Sequence, residues 1–596
     1  MSGSEATAQS ARWLTSFGEA LQRQDMTAIL ALFGDESYWR DLVSFTWNIV
    51  TVEGRAGIRS MLAATLAQVK PTTVAIEGTP RTTNGITEAW FTFDTCNGRG
   101  KGHVRLRDGK AWTVLTTLQE LKGFEEKRGA TRPLGTVHGA IRGRETWSDR
   151  RTMEEAALGY SQQPYCLIVG GGQGGIGLGA RLKRLGVPTL IIDKNERPGD
   201  AWRKRYKSLC LHDPVWYDHM PYLPFPDHWP VYTPKDQMGD WLEAYTRLME
   251  LNYWPSTACR AASFDAARGE WTVVVERNGE RVELRPKQLV LATGMSGVPH
   301  TPNYPGADSF RGMQHHSSRH PGGEGFAGKK CVVVGSNNSA HDIAADLWEY
   351  GAEVTMLQRS PTLVVRSESQ QQHGRSLYSE EAVQAGITTD MADLTVASIP
   401  YRLVPQFQIP VCRKIQDADA PFYQRLRHAG FMLTFGEDES GLGPMYLRRG
   451  SGYYIDVGAS ELIADGRIKL KSGVTIERLT EDSVVLSDGT SLAADLVVYA
   501  TGYGSMNGWA AALISPEVAD AVGPCWGLGS GTNKDPGPWE GELRNMWKPT
   551  AQEALWFHGG NLAQSRHYSR YLALQLKARM EGIPTPVHRG MIHTAS

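Results

Sequence analysis

YCLIVGGGQGGIGLGARLKRLGVPTLIIDKNERPGDAW, residues 165–202, decides how this chain folds. The apolar run Cys166–Val169 suits a strand buried on both faces, and it turns sharply through Gly170, Gly172 and Gly175 into a helical pattern. That is the strand, glycine turn, helix order of a dinucleotide site. Gly170 permits the tight turn, Gly172 lets backbone N–H groups approach a pyrophosphate, and Gly175 lets helix and strand pack closely. The helix start, with Gln173 and Gly174, points partial positive charge at the phosphates. A second apolar run, 188–192, ends in Asp193 and Lys194, about 20 residues beyond the glycines, where a carboxylate can hold ribose hydroxyls.

At 596 residues the chain has length for several domains. Lys+Arg 63 against Asp+Glu 64 leaves a net charge of -1, so no excess of positive charge invites nucleic acid or an anionic membrane. The seven cysteines are scattered, with no CxxC pair and no metal-ligand cluster; this argues against disulfide reductase chemistry and predicts no metal. The N-terminus lacks a charged start followed by an apolar core, and no window approaches a membrane span. A soluble cytoplasmic protein is expected.

Residues 1–125 read differently. ARWLTSFGEALQRQ, TAILALF and GIRSMLAATLAQV carry helical periodicity, and TVAIEGT, EAWFTFDT, KGHVRLRD and AWTVLTTLQEL alternate as antiparallel strands do. Helices followed by a curved sheet resemble the nuclear transport factor 2-like (SnoaL-like) α+β cone. Trp39, Asp41, Trp47 and His103 either line its pocket or are core aromatics and surface charges. The unit is expected to serve a homodimer or to cover the larger unit. Residues 126–163 are polar and Gly-containing and read as a linker with a short helix at 152–158.

The segment RPGDAWRKRYKSLCLHDPVWYDHM, with Asp200 and Trp202, resembles the GGxW region of class B flavin-dependent monooxygenases, nearest to the YUCCA-like branch of the flavin-containing monooxygenases. Tyr206, Leu209, His212 and Pro214 match a YxxLxxHxP pattern that the family carries past the flavin ring. A neutral His212 there would hydrogen-bond a flavin hydroperoxide or order the loop. QLVLATG places Thr293 and Gly294 at the link between FAD and NADPH domains, and Phe310, Gly312 and His316 form the FxGxxxH fingerprint. His320 stands where the family usually has an aromatic, which leaves heteroatom oxygenation and Baeyer-Villiger chemistry both open.

KKCVVVGSNNSAHDIAADLWEYGAEVTMLQRS repeats the strand, turn, helix, strand plan. Gly335, Ser336, Asn337, Asn338 and Ser339 form its turn. Asn337 replaces a middle glycine, and asparagine tolerates left-handed backbone. Arg359 and Ser360 follow the second strand, where an arginine suits the 2′-phosphate of NADP. Residues 361–450 read as an insertion at the substrate entrance. ADLVVYATGY, with Ala500, Thr501, Gly502 and Tyr503, matches the family's return to the flavin domain. Gly560, Asn561 and Leu562 open a last helix that the family sets beside the flavin.

The fold class is thus α/β, two Rossmann-type dinucleotide-binding domains for FAD and NADPH preceded by the cone-like domain. The expected division is 1–125, linker 126–163, FAD-binding 164–321, NADPH-binding with the insertion 322–485, and FAD-binding again 486–596. The resemblance implies a monooxygenase that reduces FAD with NADPH and passes one oxygen atom, through a flavin hydroperoxide, to an indolic or other aromatic substrate, a sulfide or an amine. His212, Asn337 and Asn561 are the candidate catalytic residues. The alternatives are a Baeyer-Villiger enzyme acting on ketones and an NADPH oxidase or reductase carrying a binding module.

Overall fold

The computed structural model describes residues 3–295 and 297–589. Met1, Ser2, Ser296 and residues 590–596, the last part of the expected 486–596 segment, lie outside them.

The N-terminal unit opens with the helix Gly3–Gln22. Its Trp13, Leu14, Phe17, Ala20 and Leu21 recur on one face and are buried, because a period of 3.6 residues aligns them. This helix, with Met26–Ala31 and Gly54–Val69, accompanies a six-stranded sheet in the order Ile49–Glu53, Phe33–Leu42, Lys110–Leu121, Gly98–Arg107, Ile86–Asp94, Val74–Thr83. All neighbours are antiparallel except Phe33–Leu42 with Lys110–Leu121. The periodicity had shown the last four strands in chain order but missed Phe33–Leu42 and Ile49–Glu53.

The interior of this unit is packed with aromatic rings: Trp13 stacks on Phe17 at 4.6 Å, Phe33 on Trp39 at 5.8 Å, and Phe45 closes on Phe93 at 5.9 Å. Asp41 is fully engaged, accepting from Ser44, Thr116, Thr46 and the Phe45 and Thr46 amides. Burial raises its pKa, although those hydrogen bonds pull the other way. Trp39 is core, Trp47 packs into the core of the next unit, and His103 lies buried against Trp90 at 4.5 Å. Of the two expected roles, covering the larger unit is the one observed. Leu42, Val43, Ile49, Leu115 and Leu118 share one apolar core with the first dinucleotide unit. The linker carries a helix at Trp147–Ala157, begun by a reciprocal Thr146–Asp149 cap.

The first dinucleotide sheet is parallel, in the order Leu555–Phe557, Gln288–Leu291, Cys166–Val169, Thr189–Ile192, Tyr253–Trp254. The second, also parallel, runs Met313–His316, Leu496–Tyr499, Lys330–Val334, Glu353–Gln358, Lys469–Ser472. This corrects two expected boundaries. The FxGxxxH strand had been placed in the first part of the flavin unit and LVVY in the second, yet both pair within the second sheet. A short apolar strand carries no label for the sheet it joins. The insertion is helical over Ser367–Gly374, Glu380–Gln384, Thr389–Ala397, Val404–Ala418, Ala420–His428 and Leu442–Arg449. Among the described residues no helix is long and apolar enough to cross a membrane.

Candidate functional site

The two glycine turns have the same construction. Gly170 has φ +111, and a Cβ there would collide with the Ala292 carbonyl; Gly335 has φ +127 and stands in the same relation to the Ala500 carbonyl. Each Ala-Thr-Gly segment therefore backs the first glycine of one turn, and Gly294 and Gly502 both adopt positive φ. A Cβ on Gly175 would overlap the Gly170 carbonyl, whereas one on Gly172 meets nothing within 4 Å. The helix Gln173–Arg184 thus packs hard on its strand while its N-terminus faces open space, as an anion site requires.

Asp193 accepts from the Gly171 amide at 2.7 Å and the Asn195 amide at 2.8 Å. It braces the turn, and each oxygen keeps a further lone pair for a ligand hydroxyl. Lys194 is exposed. Trp202 donates to the Gln173 side chain at 3.2 Å, laying its indole across the helix start, while Asp200 is paired with Arg203 at 3.0 Å.

Against the other side of the turn, a Cβ on Gly174 would lie 3.3 Å from the His558 ring and 3.6 Å from Ser565 Oγ. Both His558 nitrogens, Ser565 Oγ and Thr293 Oγ1 are buried without hydrogen-bond partners. Burial lowers His558 to about 3, so the ring is neutral and offers one donor and one acceptor. Buried polar atoms left unpaired are costly. Their grouping beside an open, N–H-lined turn fits an extended phosphate- and hydroxyl-bearing group such as FAD.

In the second turn Asn337 has φ -97 and ψ -170. This is extended backbone, so the left-handed rationale for an asparagine there does not hold. Its carbonyl receives the Ala340 and His341 amides at 3.0 and 3.1 Å. The Asn338 side chain accepts from the Ile455 amide at 3.0 Å, and Ser336 bonds Thr362 at 2.7 Å. Ser339 is half-buried. Arg359 and Ser360 are exposed just past the strand Glu353–Gln358; burial raises the nearby Tyr304 hydroxyl, against the opposing pull of the Arg359 charge.

Between the sheets, residues 298–300 run antiparallel to 502–504: His300 donates to the Gly502 carbonyl at 3.0 Å and Gly504 to Val298 at 2.9 Å. Thr501 also bonds the His300 carbonyl. His316, the fingerprint histidine, sits with Nε2 3.0 Å from the Gly502 carbonyl and packs edge-on to Tyr503 at 5.1 Å. His320 joins His315 at 3.1 Å.

His212 and Tyr206 converge on one carboxylate. Asp342 Oδ2 accepts from Tyr206 at 2.6 Å and lies 3.3 Å from His212 Nε2, while His212 Nδ1 lies 3.2 Å from the Ile455 carbonyl. Burial disfavours the charged ring, but the Asp342 hydrogen bond and charge, with the Ile455 carbonyl, outweigh it and raise the pKa. Both ring nitrogens are therefore committed to the second unit.

The last helix, Leu562–Met580, starts at Asn561 after Gly560 with φ +100. The Asn561 amide donates to the Tyr446 hydroxyl at 3.0 Å, its side-chain amide donates to the Tyr217 hydroxyl at 3.0 Å, and its side-chain oxygen caps Gln564 at 2.9 Å. Arg566 donates to the Tyr217 and His219 carbonyls at 2.7 and 2.6 Å and grips Asp393 through two bonds of 2.9 and 2.8 Å. Arg375 pairs with Asp213 and lies over the Tyr217 ring at 4.2 Å. Burial first, and then the Asp213 charge, push Asp218 well above the carboxylate range.

The structure thus draws Asn561, Tyr217, Tyr446 and Arg375 together, with His212 one element away and Asn337 at the other turn. Tyr217, Arg375, Tyr446, Asp342 and Asp393 escaped the sequence reading. For the first, the density of rings and acids in HDPVWYDHM was the available signal; the others carry no local mark.

A family profile described as pyridine nucleotide-disulphide oxidoreductase matches residues 167–397, although all seven cysteines here are free thiols. Indole-3-pyruvate monooxygenase YUCCA1 of Oryza sativa subsp. japonica is 32% identical over 346 residues, 57% of this chain and 77% of that protein. Indole-3-pyruvate monooxygenase YUCCA6 of Arabidopsis thaliana is 30% identical over 345 residues, 57% of this chain and 76% of its own. The solved structure of OTEMO in complex with FAD and NADP shares the fold with a TM-score of 0.52 at 17% identity, over 71% of this chain and 85% of its own. Paired glycine turns on two parallel sheets, and relatives matched over three quarters of their length, show that this chain belongs to the flavin-containing monooxygenase family.

Proposed function

We propose that this NADPH- and oxygen-dependent flavoprotein monooxygenase acts on a small aromatic substrate of indolic type, bound between the start of the helix Leu562–Met580 and the helical insertion. The reaction balances as substrate + O2 + NADPH + H+ giving oxygenated substrate + H2O + NADP+. FAD, when bound, supplies the hydride acceptance and oxygen chemistry; the protein supplies position and dryness.

In this reading Gly170, Gly172, Gln173, Gly174, Gly175, Asp193, Thr293, Gly294 and His558 hold FAD, and Gly335, Ser336, Asn337, Asn338 and Arg359 hold NADPH. His212 is a strut between the two units. The observation that carries the reading is the setting of Asn561: hydroxyls from Tyr217 and Tyr446 fix the first turn of that helix from two sides. The same tyrosines meet Tyr378 and Tyr453 edge to face, Tyr217 with Tyr378 at 4.8 Å and Tyr446 with Tyr453 at 6.2 Å, and so form an aromatic cluster beside that helix start. Aromatic-lined sites suit apolar substrates with few polar handles, and the relatives' names point to an indolic one. The N-terminal unit we read as a nuclear transport factor 2-like cone with a filled interior. Part of its surface packs on the chain's own second half, and a homodimer through it is not part of the proposal.

The test is incubation of the FAD-loaded enzyme with NADPH and 18O2 in the presence of indole-3-pyruvate, indole, thioanisole or cyclohexanone. Label in an indolic product is expected. An ester from cyclohexanone alone would move the chain to Baeyer-Villiger chemistry. Return of all electrons as peroxide, with no label in any product, would overturn the reading.

A further inference from the structure

We propose that Arg40 of the N-terminal unit is a positioning residue for oxygen transfer: it locks the insertion helix Thr389–Ala397 and the C-terminal helix Leu562–Met580 into one register around the Tyr217–Asn561 contact. This rests on the site reading above.

Arg40 is 1% exposed. It donates to both Glu542 carboxylate oxygens at 2.7 and 2.8 Å, to the Ala397 carbonyl at 2.8 Å and to the Tyr568 hydroxyl at 2.9 Å, and it lies over the Tyr401 ring at 4.5 Å. Thr51 adds a bond of 2.7 Å to the same Glu542 carboxylate. Ala397 is the last residue of its helix, whose final carbonyls have no partner within the helix. A second arginine of the N-terminal unit, Arg105, bonds the next residue, Ser398, through its carbonyl and hydroxyl, both at 2.8 Å. Two cations from another unit therefore hold one helix C-terminus, the end that favours positive charge.

One turn back on that helix, Asp393 grips Arg566, which holds the Tyr217 and His219 carbonyls. Arg566 and Tyr568 sit on the same C-terminal helix, so the contacts form a closed ring: Arg40, Ala397, Asp393, Arg566, Tyr568 and back to Arg40. Asn561 and Tyr217 hang from it. Loosening the ring shifts Tyr217 against the helix start at Asn561, and such misplacement separates oxygen transfer from hydride consumption. The escape reaction is NADPH + H+ + O2 giving NADP+ + H2O2. The residues expected to hold NADPH lie at the other sheet and are untouched.

The experiment compares wild type, Arg40→Lys and the milder Thr51→Val as FAD-loaded full-length enzymes. NADPH consumed, peroxide released and indole-3-pyruvate or thioanisole oxygenated are read together, with anaerobic flavin reduction read separately. Arg40→Lys is expected to raise the peroxide share 3- to 10-fold while flavin reduction by NADPH stays within two-fold. Amide hydrogen exchange should speed up in residues 389–400 and 212–220. An unchanged peroxide share in the loaded variants, or equal loss in both steps, overturns the proposal. If Arg40→Lys does not fold, the Thr51→Val ratio decides. A wild type that oxygenates neither probe and returns every electron as peroxide fails the monooxygenase reading itself, a result distinct from tight coupling in all three proteins.

Discussion

His212 Nε2 lies 3.3 Å from Asp342 Oδ2, which ties the loop after the short helix Asp200–Arg203 to the helix Asn338–Glu349 that follows the second turn. The raised His212 pKa gives the tie a pH dependence. A histidine raised above its ordinary value contributes stability that is fully present below about 6.5 and fades as pH rises through the raised value. Asp342→Asn should flatten thermal stability as a function of pH between 6 and 9, at a cost of about 1.5–3 kcal/mol near pH 6. Parallel melting curves for wild type and variant across that range would count against the tie.

Arg359→Ala should weaken NADPH and leave NADH nearly unchanged. Loss of charge-assisted bonds to a phosphate costs about 1.5–3 kcal/mol, roughly 10- to 150-fold in affinity. The ratio of KM values for the two nucleotides is the measurement, and equal changes would remove Arg359 from the 2′-phosphate.

Gly172→Ala and Gly175→Ala should separate binding from folding. An added methyl at 172 meets no protein atom within 4 Å, whereas one at 175 overlaps the Gly170 carbonyl. Gly172→Ala should keep the apoprotein's melting temperature and lose roughly ten-fold or more in FAD affinity, about 1.4 kcal/mol. Gly175→Ala should lower the melting temperature itself. Flavin content after dialysis and apoprotein melting curves check both.

Acid should destabilise the protein early. His558 and His567 are each lowered to about 3 by burial, His219 to about 4 by burial and Arg566, and His341 to about 4 by burial. A depressed histidine contributes stability that is whole above about 6.5 and is lost as pH falls toward the folded value, at about 1.4 kcal/mol per pH unit for each group. Denaturant midpoints should fall steeply between pH 6.5 and 4, and His567→Gln should shallow the slope.

Both dinucleotide turns were legible because their chemistry is local: strand, glycines and helix start lie within a few residues of one another. Asp342 was not, since its partners Tyr206 and His212 are more than 100 positions away. The same distance hid the Arg566 grip on Asp393. Phe33–Leu42 escaped as a strand because its buried run includes Arg40 and Asp41, whose partners no periodicity shows. Asn337 was expected to suit a left-handed backbone, and the backbone there is extended.

The chain passes between its two sheets twice, after Leu291 and after Tyr499, and the passages are bonded side by side at 298–300 and 502–504. A single passage would join the sheets by one length of backbone; two antiparallel passages bonded to each other brace the join. The second unit is thereby stitched to the first at two separate places, the doubled backbone and the Asp342 carboxylate that meets Tyr206 and His212.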